Sequence, residues 1–367
     1  MIRTYNPATG EALATYEAHD SAKIDASLHR ARRAFSVWAR TSFSERGEAL
    51  RRIAALMRAE KTRLATIVTK EMGKPIVEAE AEIEKCVWTC EHYADHAQTY
   101  LADRGVEVDG PRSYVAFRPL GAILAIMPWN YPFWQVFRAA APALAAGNVM
   151  LLKHAANVTE CALEIERLFA ASGFPDGAFG TLLVAGRDME AIVADSRIAA
   201  VTLTGSEAAG SAVAATAGKH IKKTVLELGG SDAFVVLADA DVEKAARIAV
   251  RARFQNAGQS CIAAKRFIIE EPVYERFVAS FVENAGKLVV GDPLDRATHV
   301  GPLARADLRD DIKRQVDASL AQGAKNLLGA RRTEGPGYYY TPTILGEVTS
   351  AMSVFVEETF GPAAAVT

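Results

Sequence analysis

Cysteine is scarce: four residues in 367. That is too few for a disulfide framework in a chain of this size, so reduced thiols and a cytoplasmic setting are expected. No apolar h-region follows Met1-Ile2-Arg3-Thr4, so no secretory signal is expected. Long apolar runs are missing too. The best candidate, 120–152, is interrupted by Pro128, Asn130, Pro132, Arg138 and Pro142, which argues against a membrane partner. Neither sign of charge dominates: the formal net charge is -2 and the pI is near 6.4. With no basic or acidic block, nucleic acid is not an expected partner. The chain also lacks G-x-G-x-x-G, the common dinucleotide fingerprint, and shows no internal repeat or low-complexity segment.

What is present is a globular composition, half hydrophobic, long enough for two or three domains. Helical spacing covers 21–40, 44–72 and 76–100, with Ser44 as a plausible N-cap and Gly73-Lys74-Pro75 as a stop. Alternation around Asp109-Gly110-Pro111 predicts a β-hairpin within 105–117. From Gly121 the pattern repeats strand, loop, helix: strands at 122–127, 149–153, 179–183 and 199–203, with helices at 132–146, 158–172 and after Ser206. Such alternation predicts an α/β fold with a parallel sheet covered on both faces. A second α/β unit begins at Ser231, with strands at 233–237 and 266–270. The last residues, Phe360-Gly361-Pro362-Ala363-Ala364-Ala365-Val366-Thr367, read as a core strand, and the chain is expected to be a fragment.

Three segments carry chemistry. Phe254-Gln255-Asn256-Ala257-Gly258-Gln259-Ser260-Cys261 puts one thiol behind a polar, glycine-containing loop. Leu226-Glu227-Leu228-Gly229-Gly230 sets a carboxylate beside a flexible turn, and Pro128-Trp129-Asn130-Tyr131-Pro132 sets an amide at a strand-to-helix junction. A thiol nucleophile, a carboxylate base and an amide donor suit acyl chemistry through a thioester. Each has a plainer alternative: a buried small hydrophobe for Cys261, a surface strand-end residue for Glu227, a turn former for Asn130. The apolar neighbours of Glu227 favour partial burial and a raised carboxyl pKa, as a base near neutrality needs. Arg138 lies eight residues after Asn130, close to two helical turns of about 7.2 residues. It could pair with a substrate carboxylate, or serve as a surface or interhelical arginine. Cys86, Cys90, His92 and His96 have helical spacing but offset faces, so no metal site is expected.

The three segments together resemble the signatures of the NAD(P)-dependent aldehyde dehydrogenase superfamily, and the likeness runs from about Asn6 to the end. The resemblance implies a Rossmann-like parallel-sheet cofactor domain (1–103 and 119–229), an oligomerisation hairpin (104–118) and an incomplete α/β catalytic domain (230–367). It implies Cys261 as nucleophile, Asn130 and the Cys261 backbone N–H as oxyanion donors, and Glu227 as base toward water, not toward a coenzyme-A thiol. For NAD or NADP it points to Trp129, Lys153, Gly205, Ser206, Leu228, Glu358 and Phe360. Ala156 stands where many relatives have an acidic residue, and its lack of charge, with Lys153-His154 beside it, leaves room for a 2′-phosphate. Semialdehyde-oxidising members carry an arginine matching Arg138. Gln255 replaces a second arginine found in some of them, which leaves one cationic clamp. A bacterial subgroup shares this pattern, so succinate semialdehyde is the expected substrate, with another aldehyde or a non-catalytic scaffold as alternatives. The resemblance also implies a homo-oligomer, dimer or tetramer.

Overall fold

The computed structural model describes residues 1–110 and 112–367. Strands β1 (Ile2–Tyr5) and β2 (Ala12–Tyr16) precede four helices: α1 (Ser21–Trp38), α2 (Phe43–Ala59), α3 (Lys61–Met72) and α4 (Ile76–Tyr100). A short antiparallel pair follows, β3 (Arg104–Gly105) with β4 (Tyr114–Val115). Its turn was predicted over Asp109-Gly110-Pro111; Pro111 lies outside the described residues. Then come β5 (Ala122–Met127), α5 (Trp134–Ala145), β6 (Val149–His154), α6 (Thr159–Ala171), β7 (Phe179–Thr181), α7 (Met189–Ala194), β8 (Ile198–Thr204), α8 (Glu207–Lys219) and β9 (Lys223–Glu227). The remainder comprises β10 (Asp232–Val236), α9 (Val242–Phe254), β11 (Ala264–Ile269), α10 (Tyr274–Ala285), α11 (Ala306–Ala321), β12 (Lys325–Leu328), β13 (Thr343–Gly346), α12 (Ser353–Val356) and β14 (Ala363–Val366).

The single helix predicted over 44–72 is two helices. The N-cap of α2 is Ser42, not Ser44, because Glu45 sits three residues later and closes a capping box: Glu45 N–H donates to Ser42 Oγ at 3.2 Å, and Ser42 N–H to Glu45 Oε2 at 2.7 Å. The break falls at Glu60, whose carboxylate takes Arg63 and Arg167.

The chain divides into two compact units: residues 1–4, 14–67 and 80–228, and residues 5–13, 68–79 and 229–367. The sequence reading placed 5–13 and 68–79 in the first unit; the fold groups them with the second. Among the described residues no helix is long and apolar enough to cross a membrane.

The first unit holds a five-stranded sheet in the order β7-β6-β5-β8-β9, every pairing parallel. Central strands such as Ala122-Ile123-Leu124-Ala125-Ile126-Met127 are nearly continuous apolar runs because both faces are covered. The chain winds outward from β5 through β6 to β7, then returns to β8 on the opposite side of β5. That reversal makes the carboxyl ends of β5 and β8 a topological switch point, where open α/β sheets take their ligands. The second unit holds the order β10-β11-β14-β13-β12, parallel except for the edge strand β12. Phe254, Phe267, Phe277 and Phe281 pack its core, with Phe267 and Phe281 centroids 4.9 Å apart. Each buried phenyl contributes roughly 1.5–3 kcal/mol.

Candidate active site

Asn130 lies in the turn between β5 and α5, buried at 3% exposure, with Trp129 also buried beside it. The turn is pinned from two sides. The N–H groups of Phe133 and Trp134, orphan donors at a helix start, both reach Oε1 of buried Glu82 at 2.8 and 2.9 Å. His154, at the end of β6, contacts Pro132 O through Nε2 at 2.9 Å and takes the Ala155 N–H on Nδ1 at 3.0 Å. Burial, partly offset by the carbonyls of Pro132 and Met127, pushes its pKa down to about 4. A neutral imidazole therefore donates to Pro132 O at physiological pH, and His154 supplies no positive charge for a phosphate.

Arg138 does not wait free for a substrate. Its Nη1 lies 3.3 Å from Glu227 Oε2, and its Nη2 donates to Thr204 Oγ1 at 3.0 Å. Thr204 and Glu227 end adjacent strands in register. Partial burial of Glu227 was expected, but its side chain is 51% exposed. The reason is topological: β9 is the sheet's edge strand, a position that its apolar flanks do not reveal. A pair this exposed contributes about 0–1 kcal/mol to stability.

The predicted cofactor turn follows β8. Ser206 caps α8, its Oγ accepting from Ala209 N–H at 3.3 Å, and Gly205 N–H donates to Glu227 O at 3.0 Å. Leu228 packs so closely on Gly210 that a Cβ there would collide with it. Lys153 ends β6 with no ion-pair partner among the described residues, and burial pulls its ammonium below the usual lysine range. No carboxylate faces it from position 156, where Ala156 opens a single helical turn. A helix N-terminus at the switch point and an uncompensated lysine fit a dinucleotide carrying phosphate.

Cys261 belongs to the second unit and is the one cysteine of four that is not buried. Cys86 and Cys90 are buried in α4, whereas His92 and His96 of the same helix stack on each other at 4.5 Å. The loop to Cys261 is built against backbone preference. Asn256, Ala257 and Gly258 are all left-handed, with φ of 54°, 53° and 72°, a conformation that costs non-glycine residues about 1–3 kcal/mol each. Surrounding bonds hold it. Asn256 Nδ2 donates to Gln259 O and Gln259 Nε2 to Asn256 O, both at 3.1 Å. Gln259 Oε1 accepts from Ala304 N–H at 2.9 Å, and Glu78 Oε2 from Asn256 N–H at 2.8 Å. Gly258 must be glycine for a second reason: a Cβ would strike Gly361 O.

Two fully buried cations, missed in the sequence, organise this region. Arg253 donates to Ala264 O, Gly258 O and Thr359 O at 3.0, 3.1 and 3.0 Å, and also to Gly361 O. It thus ties the thiol loop to the segment carrying Glu358 and Phe360; burial brings its pKa down to about 9. Lys265 reaches the carbonyls behind Cys261 and lies 3.5 Å from Glu358 Oε1. The available signal was a charge inside an otherwise apolar helix face or strand. Glu358 in turn leaves no room for a side chain on Gly229.

A sequence profile described as the aldehyde dehydrogenase family matches residues 1–367. A probable succinate-semialdehyde dehydrogenase [NADP(+)] of Synechocystis sp. is 49% identical over 363 residues, covering 99% of this chain and 80% of that protein. Succinate-semialdehyde dehydrogenase [NADP(+)] 1 of Mycobacterium tuberculosis is 48% identical, covering 100% and 80%. Among solved structures, succinic semialdehyde dehydrogenase from Streptococcus pyogenes in complex with NADP+ superimposes with a TM-score of 0.97 at 34% identity, covering 100% of this chain and 81% of that one.

Proposed function

The chain belongs to the aldehyde dehydrogenase family, and on that premise we propose that it oxidises succinate semialdehyde to succinate, with NADP or NAD as hydride acceptor. The observation that carries the reading is the single unburied thiol, Cys261, on a loop that the protein strains to hold. The Cys261 thiolate attacks the aldehyde carbon, forming a C–S bond and turning the carbonyl pair into an oxyanion. The Asn130 amide and the Cys261 N–H stabilise that charge. The carbon then gives up its hydrogen with the bonding electrons as the carbonyl re-forms, leaving a thioester on Cys261. The bound nicotinamide supplies the acceptor for that hydride. Glu227 takes a proton from water as the water attacks the thioester; the C–S bond breaks, and the thiolate and the carboxylate product separate.

Trp129, Lys153, Gly205, Ser206, Leu228, Glu358 and Phe360 would hold the dinucleotide. Lys153, with no acidic residue at position 156, supports acceptance of a 2′-phosphate. Replacing Asn130 with Ala is expected to lower kcat by about 10²–10³, the cost of one oxyanion donor. Stopped-flow nicotinamide reduction checks this; an unchanged rate would remove Asn130 from the step.

Arg138 is assigned to the substrate carboxylate, which would draw its guanidinium away from Glu227. Arg138→Ala should therefore lower kcat/KM for succinate semialdehyde by about 10–100-fold, the loss of a charge-assisted hydrogen bond, and leave butanal nearly unaffected. Equal losses on both aldehydes would make Arg138 a partner of Glu227 only. Exposed Val106, Val108, Tyr114 and Val115 around the hairpin support a homo-oligomer, which sedimentation would test. Four free thiols favour a reducing compartment such as the cytoplasm.

A further inference from the structure

We propose that Lys265 is a positioning residue for the oxyanion step: its ammonium, bound to the carbonyl of Ser260, fixes and polarises the peptide unit whose other end is the Cys261 N–H. The inference rests on the aldehyde reading above, in which that N–H is an oxyanion donor.

The placement of Lys265 is built. Strand β11 pairs with β10 through Asp232↔Ala264 and then Ala233↔Arg266, so Lys265 is the extra residue of a β-bulge. Bulges beside functional sites re-aim side chains. Here the lysine turns back beneath the loop before its own strand, with its side chain fully buried. Nζ lies 2.8 Å from Cys261 O, 3.3 Å from Ser260 O and 3.4 Å from Ala263 O. Three hydrogen bonds from one ammonium onto the carbonyls of residues 260, 261 and 263 leave this short turn little freedom. The counter-charge is Glu358, at 3.5 Å. Burial lowers the lysine's pKa, and Glu358 offsets part of that shift.

The physical step is short. The Ser260 carbonyl and the Cys261 N–H belong to one planar amide, and that amide is trans. The two groups point in opposite directions. A cation at the oxygen draws electron density away from the nitrogen and makes the N–H a stronger donor toward an anion on the far side. Linked hydrogen bonds in low dielectric strengthen one another by about 10–30% per bond, and here one link carries full charge. The same contact stops the peptide from rotating, so the donor is already aimed before the oxyanion forms.

The test separates a thiol reaction that makes no oxyanion from one that does. Alkylation of Cys261 by iodoacetamide reports thiolate and loop position only. The first turnover of nicotinamide reduction with succinate semialdehyde passes through the oxyanion. In Lys265→Met the first turnover is expected to fall by about 10–100-fold, somewhat less than complete loss of a donor, while alkylation falls much less, because the Asn256, Gln259 and Arg253 bonds still hold the loop. Lys265→Gln keeps a neutral donor and removes the charge, so it should show the same split to a smaller degree; it decides the matter if the Met variant does not fold. A first turnover at the wild-type rate in the variants, or equal losses in both reactions, overturns the proposal and leaves the aldehyde reading standing. Wild-type enzyme that alkylates normally yet never reduces nicotinamide with the aldehyde would remove that reading, and the proposal with it.

Discussion

Cys261→Ser loses at least about 10⁴-fold in nicotinamide reduction, the scale on which removing a catalytic nucleophile acts, while the protein melts close to wild type. Both halves follow from how the loop is made. The turn before Cys261 is held by the Asn256, Gln259, Arg253 and Lys265 side chains on backbone atoms, and none of those bonds uses the sulfur. The side chain is partly exposed, so exchanging sulfur for oxygen leaves no cavity. What disappears is the thiolate, because a serine hydroxyl does not ionise near neutrality and no adjacent base is proposed to activate it. Matched melting curves and first-turnover rates check this. A serine variant with wild-type turnover would move the chemistry to another residue.

Glu227→Gln separates the two halves of the reaction. Loss of a general base costs about 10²–10⁴-fold in the step it serves, so steady-state turnover should fall by that factor. The first turnover should survive, since hydride departure needs no water. Stability should move little: the carboxylate is half exposed and its pairing with Arg138 is worth about 0–1 kcal/mol. The released Arg138 keeps Thr204 as a neighbour, so the variant does not strand a buried charge. A slow steady state preceded by a full-amplitude burst is the expected trace. Loss of the burst in the same proportion would place Glu227 before hydride departure.

Much of this was legible because local and global signals agree around the switch point. The runs at 122–127 and 149–153 read as buried strands; they are β5 and, with one further residue, β6. Ser206 read as a cap and caps α8. What stayed hidden depends on neighbours distant in sequence. The position of β9 at the sheet edge decides the exposure of Glu227, and no feature of Val225-Leu226-Glu227-Leu228 encodes it. Arg138 pairs with Glu227 only because α5 packs where two strand ends align, 89 residues later. Lys265 draws no attention in the sequence, where the strand is placed from 266; the bulge turns it inward. His154, beside the lysine predicted to meet the cofactor, is a buried neutral brace for Pro132. The helix break at Glu60 carries no glycine or proline; its carboxylate pairs with Arg63 and with Arg167 of α6.

The most direct measurement is the mass of the protein caught in turnover. Glu227→Gln, mixed with succinate semialdehyde and oxidised cofactor and quenched in acid, should carry a succinyl group, which peptide mapping should place on Cys261. An unmodified Cys261 during active turnover, or the acyl group on another residue, would contradict the account.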